Sequence, residues 1–209
     1  MKNDSDDANA TLRHTIKTYN QVAGDYVARS QRNGRWKTVF PELLQFMDQL
    51  PATARVLDLG CGPGHHTELL NGHHFRAIGA DLSWGMLSQA RELVTGEFIQ
   101  ADMRFLPLPN GYFDGVWMSA SLLHLPRRDA PIALKEVHRI LQGGGIFNVI
   151  VKIGEGEGLR TNLGERYFTF YGVDEMLTLL ETSGFGVQHH QIKQDGGFDP
   201  WLNVIATKI

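Results

Sequence analysis

The run RVLDLGCGPGHHTELL, Arg55 to Leu70, places Gly60, Gly62 and Gly64 directly after a strand-like apolar stretch and before a helical one. Glycines there let the backbone turn sharply and let a ligand approach the main chain closely. Their spacing is G-x-G-x-G, whereas a pyrophosphate-binding loop reads G-x-G-x-x-G. Two acids lie beyond the loop. Asp81 ends the second strand-like run, about twenty positions after the first glycine, where a carboxylate can take both hydroxyls of a ribose. Asp102 ends the third, in QADM, and so falls at the same C-terminal sheet edge. Alone, each acid reads as a helix N-cap. Together, three successive strand ends aim polar groups at one crevice, the chemistry of an adenosine-bearing ligand.

Other residue types bear on what such a ligand would do. His124, in SLLHLP after the fourth strand-like run, has an imidazole suited to general-base work if an acceptor must lose a proton. The adjacent pairs His65-His66, His73-His74 and His189-His190 lack metal-ligand spacing, because neighbours on a helix or strand do not share a face, and no metal is expected. His138 sits in a helix whose Ile132, Leu134, Val137 and Leu141 suggest one buried face, which reads as packing. Cys61, between two loop glycines, has no placeable histidine partner and reads as a small packing residue. The stretch KIGEGEGLRTNLGERYFTFYG, Lys152 to Gly172, reads as a mobile substrate loop. In it Glu155 and Glu157 would meet a cationic acceptor, and Arg166 an anionic one.

The elements that position these residues alternate. ARVLDL, RAIGAD, GEFIQAD, FDGVWMSAS and GGGIFNVIVK are strand-like and are separated by the helical runs GHHTELLN, WGMLSQARELV and DAPIALKEVHRIL. That alternation predicts a parallel sheet with helices on both faces. VDEMLTLLETSG follows as a helix closed by Gly184. FGVQHHQIK and WLNVIATKI, flanking DGGFDP, read as a terminal antiparallel hairpin. Ahead of the sheet, Leu12, Ile16, Tyr19, Val22, Ala23, Tyr26 and Val27 recur at helical steps up to about Arg29, with an interruption expected at Gly24. A polar link, SQRNGR, leads to a second helix in VFPELLQFMDQL, bounded by Pro41 and Pro51. The polar stretch Met1 to Ala8 reads as a frayed tail.

With 209 residues, 42% hydrophobic and 21% charged, the chain reads as one domain, residues 1–209. A net charge of −3 gives no general attraction to nucleic acid or anionic lipid. One cysteine excludes an intramolecular disulfide, and with no apolar span of membrane length the expectation is a soluble cytoplasmic protein.

VLDLGCGPG, GADLSWGMLSQA, FIQADMRFLPLPNGYFDGVWMSASLLHL and EVHRILQGGGIF, in that order and spacing, resemble class I S-adenosylmethionine-dependent methyltransferases. Within them the chain is similar to the ubiquinone/menaquinone-biosynthesis type, methyltransferase domain type 11, over about Thr18 to Ile209. The resemblance implies an α/β, Rossmann-like seven-stranded sheet of order 3-2-1-4-5-7-6, strand 7 antiparallel. It implies S-adenosyl-L-methionine as cofactor, with Gly60, Gly62 and Gly64 wrapping the methionine end, Asp58 supporting its ammonium and Thr67 nearby. Asp81 would hold the ribose with Leu82 beside it. Asp102 would accept from the adenine amino group, Met103 would offer its backbone N–H, and Ser119 would line the site. The helices in residues 9–50 would form a lid, and Tyr19 and Tyr26 on it would cover the sulfonium by cation-π contact. This cofactor has no phosphate, which fits the altered glycine spacing.

The chain departs from the family where L-K-P-G-G before strand five becomes Leu141-Gln142-Gly143-Gly144-Gly145, and where RFLPLPNGY is too proline-rich for a helix. The implied activity is methyl transfer by in-line displacement to a small-molecule acceptor, which chiefly requires positioning. A nicotinamide-dependent oxidoreductase is disfavoured by the glycine spacing and by Asp102. A regulatory protein that holds the cofactor without turnover stays open.

Overall fold

The computed structural model describes residues 4–32, 41–161, 163–194 and 200–209. Parts of the expected tail, link and DGGFDP turn lie outside these residues. Helix α1 (Asp4–Arg32) begins inside the expected tail and runs unbroken through Gly24. A Cβ at Gly24 would meet nothing within 4 Å, so this glycine costs helix propensity without forcing a break. Helix α2 is Pro41–Met47.

Strands β1 (Arg55–Leu59), β2 (Arg76–Asp81), β3 (Glu97–Gln100), β4 (Phe113–Ser119), β5 (Leu141–Lys152), β8 (Phe185–Lys193) and β9 (Trp201–Lys208) form one sheet in the order β3-β2-β1-β4-β5-β9-β8. Counted within the sheet this is 3-2-1-4-5-7-6. The first five strands pair in parallel, and β9 is antiparallel to β5 and to β8. The crossover helices are α3 (His65–Gly72), α4 (Trp84–Leu93), α5 (Ala130–Ile140) and α6 (Val173–Thr182).

Strand alternation sorts the core into two layers. Leu57, Val116, Phe147, Val149 and Val204 pack with Leu134, Val137 and Leu180 of α5 and α6. Val56, Trp117, Ile146 and Ile205 pack on the other face with Leu43, Phe46 and Leu70 of α2 and α3. Gly184 adopts φ 89° after α6, as its place in the sequence predicts.

Two readings are corrected. The glycine run 143–145 is not a turn before β5: Phe113 already pairs with Leu141, and the register then jumps to Gly115 with Ile146, so the run is a bulge. The stretch Lys152 to Gly172 is not a bare loop but holds a hairpin, β6 (Glu157–Arg160) and β7 (Arg166–Thr169). The Glu157 carboxylate fixes the hairpin by accepting from the Arg127 backbone N–H at 2.7 Å and from the Thr169 hydroxyl at 3.1 Å. The Arg127 guanidinium donates to the Phe170 carbonyl at 2.6 Å.

Candidate functional site

β1 and β2 end side by side, Asp58 opposite Gly79 and Leu59 opposite Ala80. The glycine loop crosses between them. The Gly60 and Cys61 N–H groups donate to the Ala80 carbonyl at 2.7 and 3.0 Å, and the Gly62 N–H donates to Asp81 Oδ2 at 2.9 Å. All three glycines have positive φ, 78°, 54° and 83°. Their surroundings differ. A Cβ at Gly60 would lie 2.1 Å from Ser121 Cβ, and one at Gly64 2.8 Å from Phe98, whereas at Gly62 it would meet nothing within 4 Å. Gly60 and Gly64 are therefore required by packing, and Gly62 opens onto free space.

Two carboxylates face this loop. Asp58, 1% exposed, accepts from the Thr67 hydroxyl at 2.7 Å. Burial pushes its pKa up to about 7, and the nearby Asp81 adds to the rise. Asp81 accepts from the Ser83 N–H at 2.8 Å besides Gly62, yet its enclosure still raises its pKa. One buried and one half-buried carboxylate, both with raised pKa values and with no lysine or arginine among their described partners, suit a cationic ligand carrying hydroxyls. Cys61 is buried, and burial pushes its thiol pKa well up, which removes it as a nucleophile.

The third acid is placed differently. Asp102 accepts from Arg104 Nη2 at 2.7 Å, from its Nε at 3.1 and 3.2 Å, and from its backbone N–H at 2.9 Å. Arg104 also donates to Asp129 at 2.9 Å and to Asn9 of α1 at 3.2 Å. Leu82 and Met103 are half-buried beside the core, and Ser119 is half-buried at the end of β4.

Helix α1 covers the edge. Asn20 Oδ1 accepts from the Ser83 hydroxyl at 2.8 Å and from the Gly85 N–H at 2.9 Å, at the start of α4. A Cβ at Gly85 would lie 2.7 Å from the Asn20 backbone, so only glycine admits the helix here. Thr18 donates to the Glu165 carbonyl at 2.7 Å and the Tyr167 N–H donates to Thr15 at 3.1 Å, tying α1 to the hairpin.

Beneath α1, Tyr19 Oη lies 2.6 Å from His124 Nε2, and His124 Nδ1 lies 2.7 Å from the Tyr167 carbonyl. A carbonyl only accepts, so Nδ1 carries the proton and Tyr19 donates to Nε2. Arg166 Nη1 donates to the Tyr19 oxygen at 2.9 Å, and its guanidinium lies 5.1 Å over the Tyr19 ring and 5.3 Å over Phe168. Burial, with the Arg166 charge, lowers the His124 pKa to about 4, while burial raises that of Tyr19 well above its ordinary value. Tyr26, two turns along α1, is half-buried and adds to the shift at Tyr19.

The structure thus brings Asp58, Gly60, Gly62, Thr67 and Asp81 together, with Tyr19 and His124 under the same cover. Sequence reasoning missed Asn20, Ser121, Thr15 and Arg104. Gly85, a glycine in the first turn of α4, was the one signal of a close backbone approach there. Among the described residues no group of three or more His, Cys, Asp or Glu could hold a metal ion, and no helix is long and apolar enough to cross a membrane.

The family described as "Methyltransferase domain" matches residues 56–145. Malonyl-[acyl-carrier protein] O-methyltransferase of Enterobacter lignolyticus is 35% identical over 104 residues, 48% of this chain and 41% of that one. tRNA (carboxymethyluridine(34)-5-O)-methyltransferase of Mus musculus is 26% identical over 208 residues, 94% of this chain and 29% of that one. The chain therefore spans less than half the length of these curated relatives. A solved S-adenosylmethionine-dependent methyltransferase from Methanosarcina mazei superposes with a TM-score of 0.74 at 19% identity, covering 82% of this chain and 98% of that one. The relatives' acceptors differ, from a carrier-bound acyl group to tRNA. Residues 56–145 thus match a methyltransferase domain, and the fold that carries them is shared with a solved S-adenosylmethionine-dependent methyltransferase.

Proposed function

We propose that the protein transfers a methyl group from S-adenosyl-L-methionine to a small-molecule acceptor. The observation that carries this reading is the pair Asp58 and Asp81, enclosed at adjacent strand ends around a loop that opens at Gly62. Asp81 would take the ribose diol and Asp58 the ammonium, with Thr67 orienting Asp58 through its 2.7 Å hydrogen bond. Leu82 and Met103 flank the adenine, Ser119 lines the methyl side, and Tyr19 and Tyr26 close the site from α1. The cofactor supplies a methyl group already activated by the sulfonium, so the protein's work is to hold the acceptor in line and exclude water.

Asp102 acts by anchoring the loop after β3 through Arg104, since both of its oxygens are engaged there. His124 acts as a positioning residue: its base nitrogen is taken by Tyr19, and a pKa lowered to about 4 keeps it neutral. The net charge of −3 supports a small acceptor over nucleic acid. Isothermal titration with S-adenosylmethionine, S-adenosylhomocysteine and NAD tests the reading. Micromolar binding of the first two and none of the third is expected; binding of NAD alone, or of none, would refute it.

A further inference from the structure

The methyltransferase resemblance implies that Asp102 accepts from the adenine amino group, and the partners of its carboxylate decide whether it can. The turn after β3 is closed twice: the Phe105 N–H donates to the Asp102 carbonyl at 2.9 Å, and the Arg104 N–H donates to Asp102 Oδ1 at 2.9 Å. An aspartate that accepts from the N–H two residues on is a common turn device, and here it brings the Arg104 side chain back onto the carboxylate. Oδ1 also accepts from Arg104 Nε at 3.1 Å, while Oδ2 accepts from Nε at 3.2 Å and from Nη2 at 2.7 Å. Each oxygen thus has two donor contacts, and a carboxylate offers about four lone-pair sites in all. No site is left for an amino group.

Arg104 is not placed to give way. It is 9% exposed and is held from two other parts of the chain: Nη1 donates to Oδ2 of Asp129, just ahead of α5, at 2.9 Å and to Asn9 Oδ1 of α1 at 3.2 Å. Turning the guanidinium off Asp102 to admit a ligand would strip a buried charge of its main partner, which costs more than a buried pair returns when it is intact. The competing gain is one hydrogen bond from a neutral amino group. Against it stand a full opposite charge and a planar fork of donors that matches the carboxylate. Arg104 therefore keeps Asp102.

Resting on the methyl-transfer reading, we propose that Arg104 is a specificity-determining residue: by holding the Asp102 carboxylate it takes the 6-amino group out of cofactor recognition, so the site accepts a purine cofactor with or without that group. Recognition then rests on the ribose and ammonium ends, at Asp81 and Asp58, and on the flanks of the base at Leu82 and Met103.

The test is calorimetric titration of the whole chain with S-adenosylhomocysteine and with its analogue in which hydrogen replaces the 6-amino group, which keeps the ring nitrogens as acceptors. The two should bind within about threefold of each other, whereas a hydrogen bond from the amino group to a carboxylate would separate them by about tenfold or more. D102N should leave that ratio unchanged. Both ligands are compared on the same protein, so a loss of fold stability does not move the ratio. R104M gives Asp102 back its lone pairs; titrated at a temperature where circular dichroism shows it folded, it should favour S-adenosylhomocysteine by about tenfold or more. A preference of about tenfold in the parent would overturn this proposal alone, and its loss in D102N would return the amino group to Asp102. Equal binding of the two ligands by folded R104M would overturn the role given to Arg104. If R104M does not fold, the ratio in the parent decides. Failure of S-adenosylhomocysteine itself to bind would refute the methyl-transfer reading, and this proposal with it.

Discussion

Cofactor affinity should depend on pH through Asp58. Without ligand the carboxyl titrates at about 7, because burial disfavours its charge and Asp81 stands close by. A cationic ammonium beside it would restore the charged form and bring the pKa back towards the ordinary value of 3.8. Binding then requires the deprotonated carboxyl, and the apparent association constant scales with its fraction in the free protein. With a pKa of about 7 that fraction rises roughly tenfold between pH 6 and pH 8. At pH 7 about half a proton should leave on binding, and at pH 6 about nine-tenths of one. Asp81, whose pKa is raised as well, acts in the same direction, so tenfold is the share of Asp58 alone. Titration calorimetry in two buffers of different ionisation enthalpy reads the proton count directly. Running it with S-adenosylhomocysteine, which keeps the ammonium and lacks the sulfonium, isolates the group that Asp58 is assigned to hold. D58N should bind more weakly at pH 8 and lose the Asp58 share of the dependence. A parent protein whose affinity is flat from pH 6 to 8, with no proton released, would refute the reasoning.

D81A should weaken cofactor binding by about 1 to 3 kcal/mol in calorimetry, from unpaired ribose hydroxyls and the lost anchor on the Gly62 N–H. G60A should cost about 2 to 4 kcal/mol in denaturant unfolding, because the new Cβ would lie 2.1 Å from Ser121 Cβ at a φ of 78°. R104M should cost about 3 to 5 kcal/mol, leaving Asp102 and Asp129 without their shared guanidinium. His124 is neutral in the fold down to about pH 4 but titrates near 6.5 when unfolded, so its contribution is complete above 6.5 and is lost as pH falls towards 4. H124Q should therefore flatten the acid side of the stability profile over that window, while cofactor affinity at pH 8 stays within about twofold of the parent.

Local signals carried most of the fold. The first three strand runs were legible because each is a short apolar block ended by glycine or an acid, and the terminal pair because two strand-like runs flank a turn-rich link. What was not legible depends on partners distant in sequence. The hairpin of β6 and β7 is written as glycines and charges, and it holds because Glu157 finds Arg127 and Thr169, which no local pattern announces. The partner of Asp102 was not legible either: its place at the third strand end is as expected, and Arg104, two residues on, donates to its carboxylate. His124 follows β4, and its base nitrogen is committed to Tyr19, a residue of a helix read as a lid.

These commitments bear on how the site opens. Helix α1 is fastened to the start of α4 through Asn20, to His124 through Tyr19, to the hairpin through Thr15 and Thr18, and to Arg104 through Asn9. In this closed arrangement Asp58 is buried and Asp81 half-buried, and burial raises both pKa values. A cover that stayed shut over two charged carboxylates without a cation would be costly, so the closed form favours either a proton on Asp58 or a cation beside it. On the proposed reading, cofactor binding and closure would therefore be coupled through the same carboxyl. Asn20, Tyr19 and Asp58, on different elements, would then serve one equilibrium: the first two would set how firmly the cover sits, and the third what must lie beneath it.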